Sequence, residues 1–85
     1  MNLALPTITT GGTSATRLLD DICRAVAASM EAATALQGVA PHGCDYPDQA
    51  VLQRATEEHT RRLNRVVDTV TELNTLADYV ADYVK

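Results

Sequence analysis

"GVAPHGCDYPDQAV", residues 38–51, gathers two glycines and two prolines inside a chain that otherwise favours helix. Gly38 stands where a helix end calls for a left-handed residue, and Pro41 prevents the helix from resuming. Gly43 permits a tight reversal. Asp45 is expected to cap a second helix, with Pro47 in its first turn, where a missing N–H costs nothing. Asp48 adds a second carboxylate at the positive end of the helix dipole. The stretch therefore reads as the corner of a helical hairpin.

On the amino-terminal side, Ser14 or Thr13 can cap a helix running to about residue 37. Ala15, Leu19, Ile22, Val26, Ser29, Ala33 and Leu36 recur at alternating steps of four and three, so they form one stripe, widened by Leu18, Ala25 and Met30. Arg17 with Asp21 and Asp20 with Arg24 can pair weakly on the outer face. On the carboxy-terminal side, Leu52, Thr56, His59, Leu63, Val66, Val70, Leu73, Ala77, Val80 and Val84 continue the same alternation. No glycine or proline occurs from 48 to 85, so one coiled-coil-like helix of about 46–84 is expected. Residues 1–13 alternate Leu3, Leu5 and Ile8 with threonines before Gly11-Gly12, and read as an extended or flexible tail. The expected fold is all-α: a tail of 1–13 and an antiparallel helical hairpin of 14–85.

The 85 residues make one domain, with a core drawn largely from alanine and valine and with no Trp or Phe. Small side chains bury little area, at roughly 25 cal/mol per Å², and oligomerisation is the usual remedy. The net charge of −4 argues against a nucleic-acid partner, which needs a clustered basic face. It equally disfavours an anionic membrane surface. No apolar run approaches the ~20 residues of a membrane span, and the start "MNLALPTITT" lacks the basic region of a secretory signal. Cys23 and Cys44 would lie ~20 Å apart on such a hairpin, too far for a disulfide. Free thiols and a cytoplasmic setting are expected.

The corner also holds His42, Cys44, Asp45 and Asp48, each a competent metal ligand. Zinc sites show paired ligands twice over, and the second pair is absent, with Cys23 and His59 far along their helices. Cys44 near His42 lacks a third orienting group, so no thiolate nucleophile is read there. His59 interrupts the apolar stripe and is taken as a core or stripe-edge histidine. No phosphate-loop, nucleophile-elbow or zinc-protease motif occurs. The expectation is no enzyme, with no catalytic residue, cofactor or metal.

A tight corner would leave the longer helix uncovered beyond about residue 70. Leu73, Leu76, Tyr79, Val80, Tyr83 and Val84 would then form an exposed apolar end, the usual mark of an interface. Arg54, Arg61, Arg62 and Arg65 precede Asp68, Glu72, Asp78 and Asp82 along that helix, beside ordinary pairs such as Glu57–Arg61 and Glu58–Arg62. An antiparallel pair of such helices, with its two-fold axis between residues 71 and 72, sets Arg61 against Asp82 and Arg65 against Asp78. It also sets Leu63 against Val80, Val66 against Ala77 and Val70 against Leu73. A homodimer with a four-helix arrangement is therefore expected. The competing occupants of that end are the tail, which can reach ~40 Å, and an unidentified protein partner.

The loop "PHGCDYP" followed by "RATEEHTRRLNRVVDTVTEL" resembles short phage- and prophage-encoded helical proteins with a Gly-x-Asp-Tyr loop between two helices. That resemblance covers residues 41–76 and implies a small interaction protein in a phage context, with Cys44 at the variable position. The hairpin with a proline-bearing turn is also similar to type III secretion needle subunits, although Pro41 and Pro47 are six apart. The functional expectation is a non-enzymatic interaction protein. The alternatives are a secretion-filament subunit and an acidic inhibitor of a nucleic-acid-processing machine.

Overall fold

A computed structural model describes residues 3–9 and 11–84. Met1, Asn2 and Thr10 of the expected tail, and Lys85 of the expected hairpin, lie outside the described residues. The described residues form two α-helices, α1 (Ala15–Gln37) and α2 (Gln49–Ala81), joined through a 3-10 turn at Gly43–Asp45, with no strand.

Ser14 caps α1: its extended backbone turns the hydroxyl to accept from the Arg17 N–H at 3.2 Å. The far end differs from expectation. Gly38 is right-handed (φ −70°, ψ −13°), and α1 closes by tightening. Gly38 N–H donates to the Ala35 carbonyl at 3.1 Å, Val39 to Leu36 at 3.0 Å and Ala40 to Gln37 at 3.3 Å. Such i→i−3 bonds satisfy the last carbonyls without a left-handed residue. Pro41, which has no N–H to continue the series, ends it.

The start of α2 is also corrected. Asp48, not Asp45, is the cap, accepting from the Val51 N–H at 2.9 Å. The residue before a proline is pushed out of the helical region, and Tyr46 is accordingly extended at φ −125°, ψ 140°. Asp45 lies instead inside the 3-10 turn, its N–H donating to the His42 carbonyl at 3.0 Å. Asp48→Ala is expected to cost about 1 kcal/mol of stability, read as a lower urea midpoint. Asp45→Ala should stay within about 0.5 kcal/mol of the parent.

The two helices pack antiparallel around Ala15, Ile22 and Val80. Leu18, Leu19 and Val26 of α1, Leu73, Leu76, Ala77 and Tyr79 of α2, and Ile8 of the tail close on that centre. The start of α1 thus meets the end of α2, contrary to the expected uncovered carboxy-terminal end. The reason is the connection. Residues 38–48 form no tight reversal, so α1 stops short and the chain travels on before turning. With 23 and 33 residues, the helices are about 35 and 50 Å long, and the difference of about 15 Å falls at the bend.

Candidate interaction surface

The structure divides the residues expected at a self-association face. Leu73, Leu76, Tyr79 and Val80 are packed within the chain, and Val80 is 0% exposed. A register that sets Val80 against Leu63 of another copy is therefore closed. Leu63, Val66 and Val70 are half-buried on the same stripe. Only Tyr83 and Val84 of the apolar set remain exposed. Tyr83 lies against Tyr79, with ring centroids 5.4 Å apart and hydroxyls at 3.4 Å. That hydrogen bond, more than partial burial, raises the Tyr79 phenol above its ordinary value. Arg61, Arg65, Asp78 and Asp82 are all exposed. The ion pairs among described residues are Arg24–Asp21 at 3.8 Å and Arg62–Glu58 at 4.0 Å, both exposed and worth little.

At the bend, the connection and α2 enclose an open basin of about 640 Å³. Val39, Pro41 and Tyr46 form one wall; Val51, Ala55 and His59 form the other, with Arg54, Arg61, Arg62 and Glu58 around it. His59 thus sits at the edge of the stripe. Cys23 and Cys44 are free and exposed. Among the described residues, no three His, Cys, Asp or Glu side chains gather as metal ligands would. Among the described residues, no helix is long and apolar enough to cross a membrane.

A second surface flanks the stripe. On one side of the α1–α2 seam, α1 presents Thr16, Cys23, Ala27, Met30, Thr34 and Gln37. Beside them α2 presents Thr60, Asn64, Val67, Thr71 and Asn74. All are exposed and none is charged; Glu57 and Asp78 mark the limits along α2. Met30 is 57% and Val67 48% exposed. They flank a groove of about 300 Å³ whose floor includes Ala33 and Val70. The threonines there are internally satisfied: Thr34 donates to the Met30 carbonyl and Thr71 to the Val67 carbonyl, each at 3.1 Å. The opposite side of the seam carries Arg62, Arg65, Glu58 and Glu72 instead. Depletion of charge with an exposed methionine is the composition of an interface centre. Compared with protein-family models, curated proteins and solved structures, the chain matches none of them.

Charge is also graded along the rod. Among the described residues, which leave out Lys85, the open half holds Arg17 and Arg24 against Asp20, Asp21, Glu31, Asp68, Glu72, Asp78 and Asp82, a net −5. The bend half sets Arg54, Arg61, Arg62 and Arg65 against Asp45, Asp48, Glu57 and Glu58, a net of zero. The radius of gyration is 18.0 Å and the extents are 59 × 23 × 17 Å. A compact chain of this length would have a radius of gyration near 12 Å. The accessible surface is 6255 Å², against about 4,900 Å² for a compact monomer of this mass.

Proposed function

We propose that this chain is a non-enzymatic helical interaction protein that works as a homodimer and meets a further protein partner through its helical faces. The observation that carries the reading is the surface excess. About 1,400 Å² more than a compact chain exposes exceeds the ~800 Å² per partner of a standard interface. Only Ala15, Ile22 and Val80 are buried among the described residues, Val80 alone completely, so the hairpin leaves most of its apolar stripe half-covered. A four-helix arrangement would complete that burial. The phage or prophage context rests on the loop around Gly43, Asp45 and Tyr46, and a cytoplasmic setting on the two free thiols. Light scattering on the eluted peak at tens of micromolar is expected to return twice the 9.1 kDa chain mass. A mass of one chain across that range overturns the proposal.

A further inference from the structure

Resting on that reading, we propose that the second copy docks on the uncharged side of the seam, centred on Met30 and Val67, with the two rods antiparallel. Three observations converge there. The face has two exposed apolar side chains at its middle, over a groove floored by Ala33 and Val70. Its charge-free stretch lies near mid-rod, so a two-fold axis through it overlaps the rods along most of their length. The open half carries −5 and the bend half zero. Parallel rods would place two −5 ends together, whereas antiparallel rods place each acidic end beside the near-neutral bend half of the other copy. The arrangement also brings Glu57 near the second copy's Asp78, a repulsion at the solvent-exposed rim where screening keeps it small.

The register is specific. Met30 and Val67 cross their own counterparts near the axis, and Cys23 lies beside Gln37 of the second copy. In parallel rods, Cys23 would lie beside Asn74 of the second copy.

The test begins from a Cys44→Ser protein that retains the native Cys23. Adding Gln37→Cys and a short bis-maleimide should give a covalent dimer, and adding Asn74→Cys should not. A covalent dimer from Asn74→Cys alone overturns the orientation. Met30→Glu with Val67→Glu should weaken association at least about 100-fold while circular dichroism stays helical. Thr69→Glu, exposed on the opposite side of the seam beside Arg62 and Arg65, should leave association unchanged. A dimeric parent whose Met30→Glu/Val67→Glu variant stays equally dimeric overturns the face while sparing the homodimer. A monomeric parent removes both.

Discussion

Val80→Asp is expected to abolish the cooperative thermal transition and most of the helical signal at 222 nm. Val80 is the only side chain among the described residues with no exposure at all. It sits where the start of α1, the end of α2 and Ile8 of the tail converge. An aspartate there must bury its charge without a partner, or pull the end of α2 out into water. Either outcome dissolves the centre that joins three segments. A single core in a chain this short supplies only about 3–5 kcal/mol, so the loss exceeds what the hairpin holds in reserve. Ile22→Ala removes buried methylenes from the same centre and should cost about 2–4 kcal/mol, leaving a weakened but folded protein. Tyr83→Asp, nearby in sequence but exposed, should move the melting temperature by only a few degrees. A Val80→Asp variant that melts cooperatively near the parent temperature would show that the core lies elsewhere.

The four-three recurrence from Ala15 to Leu36 and from Leu52 to Val84 carried both helices, because a period near 3.5 with no internal glycine or proline leaves few other solutions. The cap of α1 was legible to within one residue, since Thr13 and Ser14 both offer a hydroxyl before an apolar-periodic run, and the structure selects Ser14. The start of α2 was not, because two rules compete at Asp45. A capping carboxylate with a proline in the first turn is a good helix start, yet Pro47 also forces Tyr46 to be extended. Asp48, free of that constraint, wins. The misplaced overhang has a related cause. Residues 38–48 contain turn-forming types, but composition does not say how far a connection travels before it reverses. The uncharged face was hidden for a different reason. Its signal is absence, a run of Thr, Asn, Ala, Met and Val where the other side carries Arg and Glu, and apolar periodicity does not register missing charge.

The melting temperature is expected to rise by about 4 °C for each tenfold increase in protein concentration. The helices give the physical reason. α2 is rich in β-branched residues, including Val66, Val67, Thr69, Val70, Thr71 and Thr75, which lose side-chain freedom in a helix. Its stability must come from packing rather than propensity, and α1 alone leaves its stripe half-exposed. If two copies supply the rest, unfolding and dissociation are one event. A tenfold rise in concentration then stabilises the dimer by about 1.4 kcal/mol. Spread over the unfolding entropy of the two chains together, that becomes a shift of about 4 °C. A self-contained hairpin would melt at one temperature at every concentration. The Met30→Glu/Val67→Glu variant supplies the internal comparison: its charges are exposed in the monomer, so they should flatten the concentration dependence and lower the melting temperature together. A parent protein whose melting temperature is flat from 2 to 200 µM (roughly two decades, about 8 °C by the same reasoning) would mean that the hairpin stands without a second copy.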